Sequence, residues 1–402
     1  MNVLIISREY PPESVGGTAT VAHNTAIGLA SYDNKIYVVS NGTMADKTMK
    51  SIKIIRTGIN SIYEKNTTNK YKNLTSSKKI FDTAKQVIIK NKIQIIVVPD
   101  MFCFNEAKFL GDLYKIPVVL ICLQSFFTQQ VYDKKEHFVS SFSKGSNQDL
   151  TLFEKKVMKE AKNIVFISES IANEMLNKYN VSANTKVIYL GVDLNEIDRV
   201  KVNKPILNKD LIQITANARL VPVKGIVQLV SAFSVLAHKR NNIHLNIIGD
   251  GPEFKLLRKM CNSKFLKYKV TLFKRIPRNK ALQIMKESDF GVVPSLWESF
   301  CYVAAEFMAL RVPILVSNID SLKEICPPGI EYHINPEIGK KDQRIIKPDI
   351  LATKLFNMIT LSDEKIKLMK KEGRERIEQK FSNSNYSGKL NEFLLGIRRG
   401  LI

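Results

Sequence analysis

The chain has little of the chemistry that cysteine and histidine bring. Its 402 residues include one Trp, five Cys and five His. Cys103, Cys122, Cys261, Cys301 and Cys326 are scattered without a C-x2-C pair, which argues against a zinc site and a disulfide framework and fits a reducing compartment. The histidines form no H-E-x-x-H or similar cluster. No apolar run is long enough to span a bilayer. Met1 and Asn2 lead directly into VLIIS without a basic n-region or a small-residue cleavage site, so no signal peptide is expected. Acidic residues are also scarce. Asp and Glu number 38 against 61 Lys and Arg, a net charge of +23. That balance favours anionic partners such as membrane lipid, phosphorylated substrates or nucleic acid. Nucleic acid is set aside because no basic surface motif with interleaved aromatics is present.

What is present is ordinary globular material, 45% hydrophobic and 25% charged, and enough of it for two domains. Short apolar runs alternate with helical patterns, which reads as α/β with doubly wound parallel sheets. VLIIS, 35–40, 52–56, IQIIVVPD (93–100), KIPVVLICLQ (115–124), NIVFIS and KVIYLGVD are the strands of a first domain, 1–195. The charged stretch 195–209 reads as a linker. A second α/β domain, 205–384, starts with LIQITANARL (211–220), and the end of the chain is mostly helical. Between the first strand and its helix, Gly16 and Gly17 let a backbone come close to a ligand; a plain turn explains them equally well. Residues 60–91 form a basic amphipathic helix. Lys65, Lys70, Lys72, Lys78, Lys79, Lys85 and Lys90 surround Ile80, Phe81, Ala84, Val87 and Ile88. That stripe packs on the sheet or lies on an anionic membrane. The long aromatic loop 124–147 reads as functional and is placed at substrate binding.

The chain is organised around PSLWESFCYVAAEFMALRVPILVS (294–317): a strand end, a loop, a helix expected over 300–310, and another buried strand. Arg311 is expected to close the last helical turn, opposite the dipole's negative end. Glu298 and Glu306 mark the segment. On one continuous helix, eight residues separate them by about 80° in rotation and about 12 Å along the axis. A ligand with hydroxyls at both ends and a diphosphate at the helix N-terminus would fit, as would two solvated acids.

Four pieces, in order, carry a family resemblance: PPESVGG, ARLVPVKG (218–225), IIGDGPE (247–253) and the glutamate pair of PSLWESF and AAEFMA. IVFISES and the GVD at 191–193 agree with them. Over nearly its whole length the chain resembles the retaining glycosyltransferases of glycosyltransferase family 4. The resemblance implies a GT-B fold, two Rossmann-like domains facing across a cleft, with a C-terminal helix from about 385 to 402 crossing back to the first. Arg219 and Lys224 match the basic pair that binds the donor diphosphate. Glu306 matches the glutamate that accepts from ribose hydroxyls, and Glu298 the one that contacts the transferred sugar. Ser299, Phe300, Cys301 and Tyr302 offer backbone N–H groups to the diphosphate. Arg275, Ile276 and Pro277 match the loop beside the base; Gly249 belongs to the donor side, and Gly16 and Gly17 touch the donor from the first domain. Glu298, Arg219 and Lys224 are the expected catalytic set, with no metal and no cofactor. The chain departs from the family pattern at Lys274, Cys301, Arg311 and Asp320-Ser321, and Leu123 or Gln124 stands where a histidine is usual. The implied activity is transfer of a hexose or N-acetylhexosamine, with retention, from a UDP-sugar in preference to a GDP-sugar. The implied acceptor is a cell-surface glycan or lipid-linked molecule, at the cytoplasmic face of the membrane. A non-catalytic GT-B subunit that stabilises a partner transferase is the alternative.

Overall fold

The computed structural model describes residues 1–14, 16–60, 70–126, 147–202, 210–327, 332–338 and 344–401. It divides into two compact units. One holds the described residues of 1–126, 147–191 and 383–401; the other holds those of Val192–Ser382.

The first unit is built on a sheet of eight strands: β1 Asn2–Ile6, β2 Lys35–Ser40, β3 Lys47–Met49, β4 Ile52–Arg56, β5 Ile95–Val98, β6 Val118–Cys122, β7 Asn163–Phe166 and β8 Asn184–Val187. Their order is β3-β4-β2-β1-β5-β6-β7-β8. The pairings are parallel except that β3 runs antiparallel to β4. β1 lies in the middle, where Val3 to Ile6 are fully buried, as continuous apolar runs in a sheet covered on both faces should be. The edge strand β3, with the sequence KTM, carries no apolar period and left no signal in the sequence.

The basic helix Lys70–Asn91 packs its stripe inward: Ile80, Ala84, Val87 and Ile88 are at most 6% exposed. The membrane alternative for this stripe is therefore corrected, because the apolar face is consumed by the sheet. Lys65 and the loop 127–146 lie outside the described residues. The final helix, Asn383–Arg398, belongs to the first unit. It lies against helix Gly17–Ala30, with the Thr25 and Tyr386 hydroxyls 2.7 Å apart and Asn34 donating to Asn391 at 2.9 Å. Ser387 sits against Gly28, leaving no room for a Cβ there.

The second unit holds a parallel six-stranded sheet: β9 Ile212–Asn217, β10 Ile243–Ile248, β11 Val270–Phe273, β12 Phe290–Val293, β13 Ile314–Ser317 and β14 Tyr332–Ile334. Its order is β11-β10-β9-β12-β13-β14, so the chain winds outward from β9 on one side and returns through β12 on the other. Ile214, Leu229, Phe233, Leu245 and Leu355 form its centre. Each such side chain contributes about 1.5–3 kcal/mol by leaving water.

Helix Tyr302–Ala309 follows β12 and packs onto it. The Phe307 ring fills the space where a Cβ on Gly291 would stand. The expected helix over 300–310 is shorter than drawn, because Cys301 is extended and Leu310 already leaves the helix. Arg311 does not close the last turn. It lies beyond it with φ 59°, its N–H on the Met308 carbonyl at 3.0 Å, while the Val312 N–H reaches the Phe307 carbonyl at 2.9 Å. That is a Schellman ending with arginine where glycine is usual. Left-handed backbone costs an L-residue about 1–2 kcal/mol, partly offset by the freedom glycine loses on folding. We therefore expect Arg311→Gly to stabilise the protein by about 0.5–1 kcal/mol, measured by denaturant unfolding. Gly291→Ala should destabilise it by about 1–3 kcal/mol by crowding Phe307.

Candidate functional site

In an open parallel sheet, ligands sit outside the carboxyl ends of the strands where the winding reverses. In the second unit that place lies between β9 and β12. The loop after β9, residues 218–225, carries Arg219 and Lys224. The loop after β12, residues 294–301, carries Glu298.

Backbone contacts fix the first loop from below. Ala218 N–H bonds to the Ile248 carbonyl and Leu220 N–H to the Asp250 carbonyl, both at 3.0 Å, and Glu253 N–H returns to the Leu220 carbonyl at 3.0 Å. A Cβ on Gly249 would strike the Ala218 carbonyl, and one on Gly251 the Leu220 carbonyl. The IIGDGPE glycines thus have a reason of close approach, independent of any ligand. The loop ends in a short 3-10 turn, Pro222–Lys224, and Gly225 with φ 67°. Gly225 fits against the Pro294 carbonyl, and Leu296 N–H bonds to the Val223 carbonyl at 2.8 Å.

These ties bring two expected residues into contact. Lys224 Nζ stands 2.7 Å from Glu298 Oε1, both side chains largely buried, and the buried Ser295 hydroxyl donates to the same oxygen at 2.8 Å. Arg219 is exposed at the start of the loop. Ser299 and Tyr302 are half-buried, and Phe300 and Cys301 are buried. Phe300 packs on Tyr302 and Phe381. Burial, with Glu298 adding to it, pushes the Cys301 thiol well up, so it is a packing residue and not a thiolate. The N-cap residue of the helix that starts at Tyr302 is Cys301, which makes no side-chain cap of the usual kind, and no acid lies in the first turn. Because Glu298 precedes that helix, the rotation and rise calculated for a continuous helix do not describe the pair.

Glu306 sits within the helix and is 3% exposed. Its Oε1 pairs with Arg278 NH1 at 2.7 Å. Arg278 in turn grips Glu196 through Nε, 2.9 and 3.0 Å from the two carboxylate oxygens. Burial pushes the Glu306 carboxyl above its ordinary range, and Arg278 pulls against that. Burial works against the Arg278 charge as well, but Glu306 and Glu196 more than offset it and hold its pKa above the ordinary value. The sequence reading missed Arg278 and Glu196. A signal for Arg278 existed: it opens helix Arg278–Glu287, where the dipole disfavours a cation, so it needs nearby anions. Arg275, Ile276 and Pro277 immediately precede it; Arg275 and Pro277 are exposed and Ile276 half-buried.

The helix that carries Glu306 is held at its other end by Arg374, which donates to the Ala309 carbonyl at 2.9 Å and pairs with Asp198 at 2.8 Å. In the first unit, Gly16 and Gly17 are exposed at the start of helix Gly17–Ala30. A Cβ on Gly16 would meet its nearest atom at 3.7 Å, and one on Gly17 would meet nothing within 4 Å. Among the described residues, no group of three or more His, Cys, Asp or Glu side chains is placed to hold a metal ion.

Two family models cover these halves. Residues 15–196 match Glycosyltransferase Family 4, and residues 198–343 match Glycosyl transferases group 1. An uncharacterised glycosyltransferase of Methanocaldococcus jannaschii is 23% identical over 83% of this chain and 84% of its own length. CapM of Staphylococcus aureus, a capsular polysaccharide biosynthesis glycosyltransferase, is 27% identical over 58% of this chain and 61% of its own. Among solved structures, HepE of Anabaena in complex with UDP-glucose matches with a TM-score of 0.71 and 16% identity, over 98% of this chain and 100% of that one. The shared fold is GT-B.

The Gly225 geometry makes its own prediction. Gly225→Ala combines a left-handed backbone with a collision on the Pro294 carbonyl, and should cost about 1–3 kcal/mol in denaturant unfolding.

Proposed function

This chain is a GT-B glycosyltransferase, and from that premise we propose that it moves a hexose or N-acetylhexosamine, with retention, from a UDP- or GDP-sugar to a cell-surface glycan or lipid-linked acceptor. The observation that carries the reading is the Lys224–Glu298 pair at the switch point of the second sheet. Cleaving the sugar–phosphate bond sends its electron pair to the departing diphosphate and leaves positive charge on the sugar. Lys224, Arg219 and the N-terminus of helix Tyr302–Ala309 meet the new negative charge. A fork and a point charge on one loop suit several phosphate oxygens, so the reading calls on no metal ion. Glu298, held by Lys224 and Ser295, positions the sugar. The departing phosphate takes the proton of the acceptor hydroxyl, which attacks from the same face. Glu306 takes the ribose hydroxyls. Gly17, which no packing requires, gives the donor a bare backbone to approach. The preference for UDP is supported by HepE, solved with UDP-glucose, and the surface-glycan acceptor by CapM.

Contact with an anionic membrane is part of the same proposal. Among the described residues, no helix is long and apolar enough to cross a bilayer. The surface offered instead is the outer side of helices Lys70–Asn91 and Phe104–Tyr114. Lys78, Lys79, Lys85 and Lys90 are exposed there, with Ile89 63%, Phe109 60% and Leu113 54% exposed. Lysines bring such a surface to anionic lipid, and the apolar tips can enter the headgroup layer.

Three measurements test these readings. A thermal-shift panel of UDP-, GDP- and ADP-sugars should give one clear class, since a ligand at about 100 times its Kd adds about 2.7 kcal/mol to the folded state. Lys224→Ala should lower turnover by about 10²–10³-fold in a protein that still folds. No shift at millimolar ligand points to the non-catalytic subunit, and full activity of Lys224→Ala removes the site assignment. Separately, binding to phosphatidylglycerol vesicles should weaken with salt and when Lys78, Lys79 and Lys85 are neutralised. Absence of binding at low salt refutes the membrane reading.

A further inference from the structure

We propose that Arg278 is a positioning residue for the donor. It holds one oxygen of Glu306 and so presents the other, as a fixed acceptor, to the ribose diol of the nucleotide. The inference rests on the reading of Glu306 as the ribose-binding glutamate.

The geometry carries it. Arg278 NH1 takes Oε1 of Glu306 at 2.7 Å, and Oε2 has no hydrogen-bond partner among the described residues. The Glu306 side chain is 4% exposed, whereas that of Arg278 is 47% exposed. The arginine therefore reaches inward from the rim to a carboxylate that water hardly touches. On its outer side it is fixed by Glu196, with Nε within 3.0 Å of both carboxylate oxygens and NH2 at 2.9 Å from Oε2. A planar guanidinium held from both sides has little freedom, so it fixes the plane of the carboxylate it grips. Glu196 lies in the short helix Leu194–Asp198, whose Asp198 is held by Arg374, and Arg374 also donates to the Ala309 carbonyl at the end of the Glu306 helix. Both ends of the clamp are thus tied to that helix. Loss of Arg278 leaves a buried carboxylate without its partner. That favours its neutral form and frees it to turn, so it no longer offers a fixed acceptor.

The test compares UDP and GDP with their 2′,3′-dideoxy forms by calorimetric titration. The readout is the ratio of affinities for the ribose and dideoxy ligands, which general weakening of the site does not move. The wild type should prefer the ribose form by at least about tenfold, the scale of hydrogen bonds to a charged acceptor. Glu306→Gln should weaken that preference, and Arg278→Ala should reduce it to less than about threefold. A preference that Glu306→Gln weakens but Arg278→Ala leaves at the wild-type ratio overturns the role of Arg278 alone. A wild type without any preference overturns the ribose reading of Glu306 and this inference with it. If Arg278→Ala does not fold, Glu196→Gln decides. It keeps the buried pair but loosens the arginine from outside, so a reduced ratio supports the proposal and an unchanged one overturns it.

Discussion

A carboxylate inside an otherwise apolar helix is the constraint around which the second unit is arranged. The helix YVAAEFMA is packed among β12, β13 and helix Asp363–Lys380, and everything on it except Glu306 suits that place. An unpaired charge there would cost several kcal/mol or be lost by protonation. Arg278 answers it from outside, and Glu196 answers the arginine, so a chain of alternating charges runs from the interior to solvent. Such a chain is poor economy for stability alone, since well-packed apolar side chains would serve as well or better. Its presence makes sense if the inner carboxylate has a second duty, which is why the pair is read as part of a binding site.

The architecture was legible in the sequence wherever burial on both faces makes strands continuous apolar runs. β1, β2 and β4 to β7 were found this way, and β2 and β4 at their observed limits. β3 was missed because three residues at an edge, Lys47 and Thr48 of them exposed, carry no period. The start of helix Tyr302–Ala309 was misplaced because Phe300 and Cys301 are apolar and buried for a different reason: Phe300 packs on Phe381, and Cys301 is extended rather than helical. Spacing along the chain showed the two glutamates but not their geometry, since Glu298 stands in a loop whose path is set by Val223 and Pro294. Lys224 meeting Glu298 depends on β9 and β12, far apart in sequence, becoming neighbours in the sheet. Only the family resemblance put those two loops together in advance. Arg278 and Glu196 were invisible to motif reading because neither belongs to a motif; only a cation at the wrong end of a helix gave a hint.

The net charge leaves a similar division between what is used and what is free. The basic helix Lys70–Asn91 spends its apolar stripe on the sheet, so its amphipathicity is ordinary core packing. Its lysines need no membrane to explain their solvation. What core packing leaves exposed is a set of large apolar side chains: Ile89 on that helix, and Leu113 and Phe109 on helix Phe104–Tyr114, with Phe109 touching Phe81. Scattered exposed apolar residues are normal, so the membrane reading depends on these tips and lysines acting together, and not on the net charge by itself.

The glycines separate structural need from functional need. Gly225, Gly249 and Gly251 are required by contacts inside the second unit, since a Cβ on any of them would meet a carbonyl oxygen. Gly225 stands in left-handed backbone as well, and so does position 311, where arginine occupies that conformation in the open at modest cost. Gly17 meets neither condition. It is the first residue of a regular helix, exposed, with open space where a side chain would go. No packing contact requires its missing side chain. Under the proposed reading, this opening lets the donor come closer to the backbone than a methyl group would allow, at a helix N-terminus whose free N–H groups suit an anion. This is the same chemistry that Lys224 and the Tyr302 helix offer in the second unit, reached by a different route.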